Sequence, residues 1–150
     1  MEKLDRVRDA FFALNVQRRQ QHDIFHVISS ILHLGNIQFM DADQSNDPCR
    51  IKNKDTLDYV AFLLGVSSDD LETALVCRTK LIHRELCTIY LSADEAIVQR
   101  DNLAETLYSL LFSWILELIN SRLCKDDCVT FIGILDFYGK EAQEEEDDVK

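Results

Sequence analysis

The sequence predicts a mainly α fold with a small β component, and three observations carry that expectation. Ser92 to Leu123 runs without Gly or Pro, which reads as one long central helix of roughly 45 Å at about 1.5 Å per residue. Near the N-terminus two shorter segments repeat apolar residues at the spacing of one helical face. Val129 to Phe137, VTFIGILDF, is instead a continuous apolar run rich in branched and aromatic residues. A strand buried on both faces has that composition, so one buried core strand is expected at about 130–137.

Taken in order, Leu4, Val7, Ala10, Phe11 and Leu14 mark a first amphipathic helix. Arg18 to Leu34 repeats the pattern through Ile24, Phe25, Ile28, Ile31 and Leu32, and Gly35 with Asn36 supplies a stop. The pair reads as a helical hairpin. Ile37 to Phe39 is a short extended piece, and DADQSNDPCR, with the chain's single proline, reads as a surface loop. A third helix from about Asp55 to Leu64 ends at Gly65, and Ser67 or Ser68 caps a short fourth one through Leu71 and Leu75. From Thr79 to Leu91 the period shortens, predicting one or two strands with a turn near Arg84.

The long helix opens with Ser92 and Glu95, a capping-box pair, and Asp94 and Glu95 put negative charge at the positive end of the helix dipole. Its first half alternates Ile97, Leu103 and Leu107 with Gln99, Arg100, Asp101 and Glu105. From Leu107 to Ile119 nearly every side is apolar, the pattern of a helix enclosed by a core or a membrane. Ser113 and Glu117 interrupt that run, which falls short of the roughly twenty residues a bilayer needs. A core helix wrapped by the other elements is therefore expected.

The 150 residues fit one domain and carry a net charge of −11. Without the last eleven residues, KEAQEEEDDVK, 21 acids still face 14 bases. No basic patch with interleaved aromatics occurs, which argues against nucleic-acid binding. The five cysteines, at 49, 77, 87, 124 and 128, are odd in number and fit neither a disulfide framework nor zinc-finger spacing. They point to a reducing compartment. The charged N-terminal stretch has no signal-peptide core, so a cytoplasmic location is the expectation.

Two groups of residues could carry chemistry. His22 and His26 lie one helical turn apart with Asp23 beside them, as metal ligands could, but no HExxH motif accompanies them. Ordinary surface and core histidines are the reading, and no metal site is expected. At the other end, Asp136 and Gly139 follow the apolar run, and ligands of open α/β sheets collect at the carboxyl ends of such strands.

Four stretches together, FHVISSILHLGNIQF, LLGVSSDDLETAL, RDNLAETLYSLLFSWILELIN and FIGILDFYGKE, resemble in order and spacing the myosin motor domain, from its upper fifty-kilodalton region through switch II. RELCTIYLS and INSRLCKDDCVTFIG are most similar to the myosin-like heads of fungal chitin synthases. The resemblance implies a fragment of the P-loop NTPase-type motor fold over residues 1–141; residues 142–150, acidic and without a core-building residue, read from composition as a disordered tail or a fraying acidic helix. It also implies ATP and magnesium as cofactors of the complete domain, and actin and the remaining motor subdomains as partners.

Family switch II reads Asp-Ile-x-Gly-Phe-Glu, and Asp136, Gly139 and Glu141 occupy its acidic, glycine and acidic positions. By resemblance Asp136 lies near the magnesium ion, the Gly139 N–H senses the γ-phosphate, and Glu141 pairs with an arginine of switch I. The chemistry suits the residue types: a carboxylate holds water on a hard cation, and glycine lets backbone approach phosphate. Lys140 stands where the family has Phe, which departs from the hydrophobic anchoring of that loop. No Gly-x-x-x-x-Gly-Lys-Ser/Thr loop occurs, and the four glycines, at 35, 65, 133 and 139, leave none disguised. The expectation is a motor segment with switch II but neither phosphate loop nor switch I, without cofactor, catalysis or movement on actin by itself. It would be cytoskeleton-associated, and membrane-associated if part of a chitin synthase. The alternative is a free-standing helical interaction module.

Overall fold

The computed structural model describes residues 2–42, 47–124 and 130–135. In chain order they form α1 (Glu2–Ala13), α2 (Arg18–Leu34), β1 (Phe39–Met40), β2 (Arg50–Ile51), α3 (Lys54–Leu64), α4 (Ser68–Val76), β3 (Cys77–Ile82), β4 (Glu85–Tyr90) and α5 (Ala93–Leu123). The fold is mainly helical, with two small antiparallel strand pairs, β1 with β2 and β3 with β4.

Local sequence explains most of the boundaries. α1 ends where Asn15 turns into the left-handed region at φ 59°. The Asn15 N–H then donates to the Phe12 carbonyl and the Val16 N–H to that of Phe11, the paired bonds of a Schellman stop, and Phe11 and Val16 are both buried. α3 stops the same way at Gly65, φ 70°, with Val66 donating to Ala61. Ser67 caps α4 by accepting from the Asp70 N–H. Ser92 and Glu95 form the expected capping box of α5. β3 and β4 meet at a two-residue turn, His83 and Arg84, both at positive φ. Such turns match the twist of paired strands but favour Asn and Gly.

The main core joins α2, α3, α4 and the start of α5. Leu34, Ile37, Leu57, Val60 and Leu75 are at its centre, each at most 1% exposed. Burying one such side chain stabilises by about 1.5–3 kcal/mol. Leu91 stitches this region together, donating to the Val76 carbonyl while its own carbonyl accepts from Cys49. A smaller cluster of Phe11, Val16 and Ile24 packs with Leu111, Ile115 and Leu118 of α5.

Three sequence expectations are corrected. α5 spans the expected residues, but it is not enclosed. Ala96 is its one buried residue, whereas Tyr108 is 56%, Leu110 63% and Leu116 45% exposed. The described elements cover one stripe of it, through Leu103, Ala104, Leu107, Leu111, Ile115 and Leu118, and Tyr108, Leu110, Trp114 and Leu116 outside that stripe are exposed. The buried strand at 130–137 is not seen either: among its described residues, 130–135 belong to no strand, and Phe131 and Ile132 are 89% and 96% exposed. A strand needs a neighbour to accept its backbone hydrogen bonds, and neither of the two described sheets extends to residues 130–135. The third correction is β2, which begins on the last residue of the expected loop. Arg50 and Ile51 pair with Met40 and Phe39, because Cys49 and Ile51 are apolar enough to be buried against the main core.

Candidate functional site

Asp136, Gly139, Lys140 and Glu141, the site residues singled out by sequence, all lie outside the described residues. The structure brings the chain to Leu135 by way of α5.

What it does describe is how the base of that helix is held. Asp41 accepts a 2.9 Å hydrogen bond from the Ala93 N–H at the first turn of α5. Gln99 donates through Nε2 to the carbonyls of Ala74 and Cys77, at the end of α4; those are among the last-turn carbonyls that a helix leaves unpaired. Arg100 donates from Nη1 to the Ile37 carbonyl at 2.9 Å, and its Nη2 lies 2.7 Å from Asp101. Asn53 performs a similar task between β1 and α3, accepting from the Gln38 N–H and donating to the Asn36 carbonyl. Sequence reasoning passed over these four polar residues as positioning groups. The available signal was a glutamine and an arginine side by side in the amphipathic half of α5, on a helix otherwise growing apolar.

A cavity of about 450 Å³ lies between β2 and α4, lined by Asp47, Cys49, Arg50, Asp69, Glu72 and Cys77 among others. Its chemistry is quiet. Burial pushes the Cys49 thiol up, with the Asp41 carboxylate adding to the effect, and burial does the same to Cys77. A raised thiol stays neutral and is a poor nucleophile. Glu72 is engaged by Lys54 at 3.0 Å.

On α2 the His22 and His26 rings lie with centroids 3.9 Å apart, and His33 sits edge-on to Tyr59 at 4.9 Å. No group of three or more His, Cys, Asp or Glu among the described residues is placed to hold a metal ion. No described helix is long and apolar enough to cross a membrane.

Among the described residues, these contacts fix the first half of α5 against the main core. Comparison with known proteins places the chain. The model of the myosin head (motor domain) matches residues 1–147. Chitin synthase 8 of Mycosarcoma maydis is 49% identical over 138 residues, 91% of this chain and 7% of that protein. Myosin-5 of Arabidopsis thaliana is 40% identical over 90% of this chain and 9% of its own length. Myosin-I heavy chain of Dictyostelium discoideum is 38% identical over 94% of the chain and 6% of its own length. The chain therefore spans less than a tenth of these relatives, and it belongs to the myosin head (motor domain) family.

Proposed function

We propose that this chain is a segment of an actin-based, ATP-driven motor domain, of the kind fused to fungal chitin synthases, reaching from the upper fifty-kilodalton region through switch II. The match of the myosin head model to residues 1–147 carries this reading, and the 49% identity to a chitin synthase supports its narrower form. Residues 1–141 are the motor part in this reading and 142–150 an acidic tail. The fold class it implies is that of P-loop NTPases, with residues 130–137 forming a strand once neighbouring strands are present.

Within the complete domain, ATP and magnesium are the cofactors and actin is the partner. There Asp136 would lie near the magnesium ion, the Gly139 N–H would sense the γ-phosphate, and Glu141 would pair with a switch I arginine. Positioned charge of this kind is the main source of catalysis in phosphoryl transfer. Lys140, in place of the family's Phe, alters the anchoring of the loop. The protein is cytoskeleton-associated, and membrane-associated where a chitin synthase domain shares the polypeptide. Because the sequence holds no glycine-rich phosphate loop, the chain alone neither binds nor hydrolyses nucleotide.

Titration of the purified chain with a fluorescent ATP analogue and magnesium, alongside a turnover assay, tests this. The expected result is no saturable binding and no turnover above buffer. Saturable micromolar binding lost on Asp136→Ala would overturn the conclusion that the chain is inactive alone.

A further inference from the structure

We propose that β3 and β4 form an arm standing off the core, and that Gln99 of α5 is the positioning residue that sets its direction. The strands pair from Cys77 with Tyr90 to Ile82 with Glu85, and their 6 residues each reach roughly 20 Å at about 3.3 Å per residue. Along that length no described side chain is buried, and Leu81 and Leu86 near the tip are 65% and 77% exposed. A lone two-stranded hairpin gains little stability from its own pairing. With no buried side chain along the arm, its direction is decided at its two roots.

The roots differ. β4 returns to α5 through Leu91, which is buried and hydrogen-bonded on both sides, its N–H to the Val76 carbonyl and its carbonyl to the Cys49 N–H. That root is fixed by burial. β3, in contrast, leaves α4 with no residue between Val76 and Cys77, and Cys77 is already extended at φ −132° and ψ 152°. Rotation about the backbone at that junction swings everything beyond it. Gln99 bridges the junction. Its side-chain amide has two N–H donors, and its Nε2 lies 2.8 Å from the Ala74 carbonyl on the helix side and 3.1 Å from the Cys77 carbonyl on the strand side. One side chain of α5 therefore holds both sides of the joint.

A second link is weaker. Arg78 Nη2 on β3 lies 3.9 Å from Glu95 Oε1, with both side chains about half-exposed, and water and salt screen such a pair. Glu95 also accepts from the Ser92 N–H through Oε2, so the cap of α5 holds it whether or not Arg78 is there. The neutral brace outranks the ion pair, because Gln99 is itself half-buried and fills a carbonyl in the last turn of α4 that has no partner within its own helix. Braced in this way, the arm presents Leu81, Leu86 and the turn at His83 and Arg84 at a set angle to α5.

The test is NMR residual dipolar couplings of the backbone amides, recorded on the whole chain in a weakly aligning medium, unmodified and as Gln99→Glu, Gln99→Ala and Arg78→Ala, with circular dichroism to confirm folding. In the unmodified chain the amides from Thr79 to Thr88 should fit the same alignment as those of α2, α3 and α5. Gln99→Glu keeps the shape of the side chain but turns its donors into an acceptor facing two carbonyls. Both it and Gln99→Ala should shrink the couplings from Thr79 to Thr88 and leave those of α2 and α3 as they were, a change that a general loss of stability would not produce. Arg78→Ala should keep the unmodified pattern. Unchanged hairpin couplings in either Gln99 variant, or an equal loss in Arg78→Ala, would overturn the proposal. So would a hairpin that departs from the common alignment in the unmodified chain, a result that needs no variant to fold.

Discussion

The two halves of α5 belong to one uninterrupted helix yet live in different surroundings. The first half is laced to three other segments by Asp41, Gln99 and Arg100, and it buries Ala96 in the main core. The second half makes apolar contact along a single stripe, Leu111, Ile115 and Leu118, with the small cluster of Phe11, Val16 and Ile24. Its other faces, including Leu110, Trp114 and Leu116, are exposed. A helix that is polar on one side needs one neighbour, whereas a helix apolar on all sides needs a sleeve. The described elements supply the neighbour and not the sleeve.

The contrast is broken most severely by emptying the core beneath the first half. Leu75 is fully buried, and Leu75→Ala should cost about 2–5 kcal/mol through lost burial and a residual cavity. Leu110→Ala, on an exposed face, should stay within about 0.5 kcal/mol. Urea unfolding of the two variants checks both, and equal losses would mean that Leu110 is covered in solution.

Arg100→Ala comes next. It removes the charged donor to the Ile37 carbonyl, and a hydrogen bond to a charged group contributes about 1.5–3 kcal/mol. Its side chain is only 15% exposed, so solvent replaces it poorly. A thermal midpoint unchanged by the substitution would show that the contact is spare. Smaller still is Ser92→Ala, which deletes the cap of α5 and should cost about 1 kcal/mol, read as faster amide exchange in the first turn. If the loss exceeds that of Arg100→Ala, the helix depends on its cap more than on its packing.

The same division separates what was legible in the sequence from what was not. Ser92 with Glu95, Ser67 and Gly65 announced the helix boundaries because capping is local chemistry, settled within a few residues. The turn near Arg84 was legible from the change of period, although His83 and Arg84 give none of the usual Asn-Gly signal for a left-handed turn. β2 was hidden because two residues are too few to show a period, and its pairing with β1 is a tertiary matter. The enclosure expected for Leu107 to Ile119 and the strand expected at 130–137 failed for a related reason. Apolar pattern states what a segment needs, and whether a partner is at hand depends on residues far away in the chain. For the proposed switch II positions Asp136, Gly139 and Glu141, an acid and a glycine after an apolar run were the local signal, and their roles came from the family resemblance alone, since they rest on loops whose motifs this sequence does not hold.

Hydrogen exchange along α5 tests the central claim most directly. Amides from Ala96 to Leu107 should exchange slowly, at rates set by opening of the main core, and those from Trp114 to Leu123 markedly faster, because shallow burial allows local opening. Uniform protection along all 31 residues of the helix, or greater protection in the second half, would contradict the account and show that the exposed faces are covered in solution.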